Sequence, residues 1–180
     1  MYPYLRFLKV IIKSSFSKKK EFYSEEADVI NMIVMPQDLD PFLELNNGRY
    51  VTLLDLGRFG FGAKVRIQDF LKKNNWSMTI TGTYNNYRYR LRLFQRFQIK
   101  TKVLGYDEKW FYFFQKAERK GKTHMASVVR FSFTSKKGLV LPEKVIEAMG
   151  EEYDPNKLES WIADLSKHQL FKKKTNVNTL

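Results

Sequence analysis

The stretch from Gly48 to about Lys73, which begins GRYVTLLDLGRFGFGAKV, constrains this 180-residue chain more than any other. Tyr50, Leu53, Leu54, Phe61 and Val65, with the apolar residues beside them, recur at helical spacing. In the first half they occupy nearly every side of the helix they predict. A helix that is apolar all round has no side to give to water, so other structure must enclose it. Gly57, Gly60 and Gly62 fall inside this helix. Each costs up to about 1 kcal/mol against alanine, so a close approach by a neighbouring sheet is expected there.

The flanking residues supply the enclosure. DVINMIVMPQDLD, ahead of the helix, reads as a strand halted by Pro36. From Ser77 the period switches to two. In YRYRLRLFQRFQIKTKV, Tyr87, Tyr89, Leu91, Leu93, Phe97 and Ile99 share one face of a strand, and Arg88, Arg90 and Arg92 the other. A break at GYDEK precedes WFYFFQKAER, and RKGK turns the chain into THMASVVRFSFTS, giving strands expected to pair antiparallel as a meander. Strand, long buried helix, then several strands describes an α+β fold in which a curved antiparallel sheet wraps a central helix. The organisation expected is an amphipathic arm over residues 1–24, a domain over 25–142, and a helical extension with a basic tail over 143–180. The extension comprises PEKVIEAMG, PNKLESWIADLSKHQ and FKKKTNVNTL.

In the arm, Leu5, Leu8, Ile12 and Phe16 share one side of a helix, while Arg6, Lys9 and Lys13 interrupt a stretch far short of the roughly 20 residues needed to span a bilayer. Docking of that apolar side on the domain is expected. The alternative is a peripheral membrane contact with the lysines toward headgroups. The net charge of +13 would draw nucleic acid, anionic lipid or a phosphate-bearing small molecule. With no cysteine there is no disulfide, no thiolate-bound zinc and no cysteine nucleophile. That fits a reducing compartment, and a cytoplasmic location is the expectation.

Several site chemistries can be set aside. Asp38, Asp40 and Glu44 suggest a calcium loop, but Phe42 stands where the next oxygen ligand belongs, so no metal is expected. The glycines of GRFGFGAKV run in the reverse order of a dinucleotide fingerprint, and its aromatic-glycine rhythm falls on a buried helix, not an exposed RNA-binding strand. There is no G-x-S-x-G elbow, and the two histidines, His124 and His168, read as ordinary strand and surface residues. The Arg88, Arg90 and Arg92 stripe could track single-stranded nucleic acid, form a solvated face, or meet the phosphates of a nucleotide-containing molecule.

The corner DLDPFLELNNGRY carries more chemistry. Asp40 stands at a strand's end. A few residues on, the backbone N–H groups near Asn46, Asn47 and Gly48 open the helix and lack intrahelical partners. With the positive end of the helix dipole, they suit a carbonyl oxygen that becomes negative under attack. The competing reading is that Asp40 or Asn46 simply caps the helix.

The pattern D-x-D, N-N-x-R-Y, then L-L-D-L-G-R resembles the 4-hydroxybenzoyl-CoA thioesterase-like branch of the hotdog acyl-CoA thioesterases, over about residues 25–142 and most specifically over 36–58. The resemblance implies a hotdog fold and hydrolysis of an acyl-CoA thioester without cofactor or metal. It places the catalytic carboxylate on Asp40 as general base or nucleophile, and the oxyanion amide on Asn47. Asn46, Gly48, Tyr50, Arg88 and Arg90 become substrate contacts, the arginines facing CoA phosphates. It further implies a homodimer or tetramer with sites at the interface. Many relatives have histidine where this chain has Glu44, so Glu44 either assists Asp40 or marks altered activity. Asp55 is the other candidate acid, because a second hotdog branch draws its carboxylate from the central helix; its plainer reading is an ion pair with Arg58. The alternative function is a non-catalytic hotdog module that uses its basic surface for anionic membrane or nucleic acid, nucleic acid being the less favoured partner.

Overall fold

The computed structural model describes residues 2–154 together with Leu158 and Ile162. The second C-terminal helix expected over PNKLESWIADLSKHQ, apart from those two residues, lies outside the described residues, as do His168 and the basic tail. Helix α1 (Tyr4–Ser15) leads to strand β1 (Asp28–Ile33), a single 3₁₀ turn at Pro36–Asp38, and helices α2 (Asn47–Lys64) and α3 (Ile67–Asn74). Strands β2 (Ser77–Tyr87), β3 (Arg96–Tyr106), β4 (Phe111–Arg119), β5 (Lys122–Ser135) and β6 (Gly138–Val140) follow, and α4 (Pro142–Met149) closes the series. All strands join one antiparallel sheet in the order β1-β3-β4-β5-β2, with β6 on β5. Register shifts in β2, β3 and β5 bend it, and it curls around α2 in the expected α+β hotdog arrangement.

Helix α2 is enclosed as its sequence demands. Leu53, Leu54 and Leu56 pack with Ile30, Phe97 and Ile99, and Phe61 joins Phe111, Phe113, Phe131 and Phe133. The aromatic content is spent here: Phe113 and Phe131 stack with centroids 4.3 Å apart. The glycines mark close approaches, though not all to the sheet. A Cβ on Gly57 would lie 2.7 Å from Ile99 Cγ2 and 2.9 Å from Thr101 Oγ1 on β3. At Gly60 the neighbours are Val10 and Ser14 of α1 and Ile30 of β1, and at Gly62 the side chain of Ile67.

Four expectations are corrected. The helix does not run unbroken to Lys73: Arg66 adopts φ 54°, ending α2 and starting α3. Six residues beyond Phe61, a straight helix would carry Ile67 roughly 120° away from it around the axis. The kink instead buries Ile67 and Leu71 in the phenylalanine cluster. The arginine-rich run is not one strand, because β2 ends at Tyr87 and β3 begins at Arg96. Nor are the later strands a simple meander. β2 pairs with β5, at the far edge from β1, so the chain must cross to reach β3 and residues 88–95 are that crossing. Of the expected inward face only Leu91, Phe97 and Ile99 are buried, while Tyr87, Tyr89 and Leu93 stay exposed.

The fourth correction concerns the arm. Helix α1 docks, but by the side opposite to the one its apolar spacing selects. Phe7 meets Phe59 edge-to-face at 5.0 Å, Val10 and Ser14 sit over Gly60, and Arg6 reaches Asp38 at 2.8 Å. Leu5, Leu8, Ile12 and Phe16 remain in solvent. Among the described residues no helix is long and apolar enough to cross a membrane.

Because Ile99 and Thr101 are β-branched and stiff, a methyl at position 57 must displace the strand or the helix. Gly57→Ala should lose about 2–3 kcal/mol, the upper part of the overpacking range because both contacts fall under 3.0 Å, and regain roughly 1 kcal/mol of helix propensity. A urea midpoint below that of the parent is expected, and an unchanged or higher midpoint would contradict the close packing of α2 on β3.

Candidate active site

The corner ahead of α2 is built around the carboxylate of Asp38, which is 0% exposed. Its Oδ1 accepts from Arg49 Nε and Nη2 at 3.2 and 3.0 Å. Its Oδ2 accepts from Arg6 Nη1 at 2.8 Å and the Met35 N–H at 2.9 Å, and its backbone carbonyl accepts from the Asn46 N–H at 2.9 Å. One buried acid thus ties together α1, the turn after β1 and the first turn of α2. This explains the arginine in N-N-G-R-Y: it clamps the corner and does not face outward.

Asp40 lies one step further along. Its Oδ1 accepts from the N–H groups of Phe42 and Glu44 at 2.9 and 3.2 Å. The Asp40 N–H donates to the Glu44 carbonyl at 2.9 Å, closing a tight loop in which Leu43 takes φ 58°. Asp40 therefore caps its own loop and not the helix, and its Oδ2 has no hydrogen-bond partner among the described residues.

The helix cap is Asn46. Its Oδ1 accepts from the Gly48 and Arg49 N–H groups at 2.9 and 3.2 Å, so these two amides are occupied. The Asn47 N–H, at the first position of α2, has no partner among the described residues. Of the three amides singled out from the sequence, the cap leaves this one open at the positive end of an 18-residue helix.

The crossing segment comes to the same corner. The Leu45 N–H donates to the Leu91 carbonyl at 2.7 Å, Tyr87 Oη donates to the Asn47 carbonyl at 3.2 Å, and Arg90 pairs with Glu44 at 3.0 Å. Arg90 is 73% exposed, so this pair adds little stability, but it sets a guanidinium against the Glu44 carboxylate. Arg88 and Arg92 are exposed beside it. His124 is structural: its Nδ1 lies 3.1 Å from the Arg90 carbonyl and its own carbonyl accepts the Arg88 and Tyr89 N–H groups. Periodicity in the sequence missed this convergence, because the crossing was read as strand. Tyr50 is a core residue packed edge-to-face on Tyr87, and its buried hydroxyl has no hydrogen-bond partner among the described residues. Burial, then the Tyr87 phenol and the Glu44 carboxylate, push its pKa up and keep it a neutral donor.

Asp55 sits elsewhere. Its Oδ1 accepts from Arg58 Nη2 at 2.9 Å and its Oδ2 from Tyr2 Oη at 2.9 Å, so both oxygens are engaged. Arg58 is buried and also donates to Gln115 Oε1 at 2.6 Å. Burial lowers its pKa, and the charge and hydrogen bond of Asp55 pull it back. Asp55, Arg58, Phe59 and Gly62 line a cavity of about 1050 Å³ that also takes in Phe7 and Ile11 of α1 and Met78 and Ile80 of β2. Neither Asp40 nor Asn47 is among its lining residues. Among the described residues no group of three His, Asp or Glu side chains could hold a metal ion.

Comparison with known proteins now bears on this corner. The profile of the thioesterase-like superfamily matches residues 34–149, from the end of β1 through α4. The chain belongs to the thioesterase-like superfamily. Over 148 residues it is 30% identical to protein THEM6 of Xenopus laevis, a match spanning 77% of this chain and 69% of the frog protein. It is 20% identical over 136 residues to a probable thioesterase of Saccharomyces cerevisiae, covering 74% of this chain and 59% of the yeast protein. Among solved structures, the probable thioesterase YbaW of Escherichia coli superposes with a TM-score of 0.63 at 18% identity, over 67% of this chain and 95% of that one. A DHNA-CoA thioesterase of Staphylococcus aureus gives 0.56 at 13% identity, over 69% and 89%. These structures share the fold of this superfamily member.

Removing the Asp38 carboxylate strands two guanidiniums and a backbone N–H. Asp38→Ala should lower stability by about 3 kcal/mol, the low end for a broken buried pair because both arginines keep an edge in water. Urea unfolding should show it, and a loss under about 1 kcal/mol would mean the clamp does not hold the corner.

Proposed function

We propose that this superfamily member is an acyl-CoA thioesterase acting at the Asp40–Asn47 corner. The observation that carries the reading is the open Asn47 amide at the start of α2 with a carboxylate oxygen of Asp40 left free seven residues earlier. The thioester carbonyl oxygen accepts from the Asn47 N–H, whose hydrogen bond strengthens as the oxygen becomes negative. Asp40 takes a proton from water as the water oxygen bonds to the acyl carbon. The C–S bond then breaks, and the CoA thiolate recovers that proton to leave as the thiol, with the free acid as the other product. Direct attack by Asp40 on the acyl carbon is the second route, and would pass through an anhydride that water cleaves.

Asp55 is less suited to this work, because a guanidinium and a phenol already occupy its two oxygens. Arg88 and Arg90, exposed on the crossing, are placed for the phosphates of CoA. Asp55 lies eight residues beyond Asn47, about 12 Å along α2. The cavity that Asp55 lines therefore begins about two turns of helix from the corner. The β2 edge, 11 residues long with Ile80, Tyr84 and Tyr87 exposed, is the expected joint between two copies, and it ends beside the corner.

A panel of short, medium and long acyl-CoAs assayed for free thiol tests the reading. Asp40→Asn keeps the oxygen that accepts from Phe42 and Glu44 but removes the base, so kcat/KM should fall about 100-fold or more with an unchanged Tm. Asp55→Asn, which weakens a buried pair, should cost stability more than rate. Equal activity of the Asp40 variant and the parent would overturn the assignment. For the assembly, sedimentation velocity should show at least a dimer, reduced to a single chain by Ile80→Glu with Tyr84→Glu.

A further inference from the structure

We propose that the outward side of α1 is a docking surface for an anionic lipid bilayer. The helix has two apolar sides, and the fold uses the weaker one. Phe7, Val10 and Ser14 face α2, while Leu5, Leu8, Ile12 and Phe16 are 87, 55, 50 and 88% exposed. Their spacing of three, four and four residues makes one continuous stripe along the helix. The other side of α1 is held by the Arg6–Asp38 and Tyr2–Asp55 contacts, so the helix cannot roll to hide the stripe without breaking the corner clamp.

Charge selects the occupant. Lys9 and Lys13 are exposed on α1 beside the stripe, and Lys18 and Lys19 follow it directly. None of the four has an ion-pair partner among the described residues. The first 20 residues contain no Asp or Glu. A second copy meeting this face would bring lysine to lysine with no acid to compensate, so self-association through it is disfavoured. A bilayer matches both features: acyl chains take the stripe, and anionic headgroups take the lysines, whose methylene stems reach up from the interface. A helix of 12 residues is about 18 Å long and lies in the interface instead of crossing it. The opposite side of the same helix supplies Phe7 and Ile11 to the cavity wall, so docking would set that cavity close to the lipid surface.

The test uses the full chain and needs no activity, so it stands or falls apart from the thioesterase reading. Flotation with phosphatidylcholine vesicles, with and without about a third phosphatidylglycerol, should show binding to the anionic vesicles at about 150 mM salt. Leu5→Ser, Leu8→Ser and Ile12→Ser together should cut the bound fraction at least about tenfold with a nearly unchanged unfolding midpoint, since none of the three belongs to a core cluster. Lys9→Glu with Lys13→Glu gives an independent variant with the same expected loss. Because the chain has no cysteine, an environment-sensitive dye on Leu8→Cys should shift to the blue on anionic vesicles, and the same dye on Leu139→Cys should not. Undiminished flotation of the serine variant would assign binding to general surface charge and overturn the proposal. So would a dye at position 8 that stays in water, or a parent that forms vesicle-independent oligomers which the serine variant lacks.

Discussion

The Asp38 carboxylate is the fixed point of this molecule. Four donors converge on one buried acid: two arginines, one of them through two nitrogens, and a backbone N–H. A buried charge is costly unless its lone pairs are met, so the three segments that supply those donors are held in one arrangement. Because α1, the turn after β1 and the start of α2 meet there, the position of Asp40 relative to the Asn47 amide follows from it. The residue beside the candidate base thus matters more to its placement than the base itself.

From that corner the enclosure of α2 sets the rest. A helix apolar on all sides forces the sheet to curl, and a curled sheet with β2 at its far edge forces the chain to cross before β3 can form. The end of β2 and the crossing carry Tyr87 and Arg90 to the mouth of the helix, where the cap has left one amide open. Positive charge, a free carboxylate oxygen and the helix dipole are in this way gathered by topology. Nothing in the local sequence of the crossing specifies a site.

The two carboxylates weighed as catalytic acids differ in what already holds them. Asp55 has given both oxygens to Arg58 and Tyr2, and so serves to anchor the arm against α2. Asp40 has spent one oxygen on its loop and kept the other. Glu44 pairs with Arg90, so its charge is partly offset.

Much of the architecture was legible in the residues. An all-round apolar helical period, a following period of two and punctuation at Pro36, GYDEK and RKGK identify the wrapped helix, because burial and side-chain alternation are local consequences of spacing. The N-N-G-R-Y corner announced the helix start for the same reason, while the Asn46 cap decided which of its first amides are occupied. What spacing could not decide was partnership. A period of two reads the same whether a strand meets its sequence neighbour or a distant one, so the pairing of β2 with β5 and the crossing were invisible. An apolar stripe reads the same whether it faces the core or not, so α1 was expected to dock by Leu5, Leu8, Ile12 and Phe16. Tertiary structure chose the opposite side, because Gly60 leaves room for Val10 and Ser14 and Asp38 waits for Arg6, and those are contacts between residues tens of positions apart.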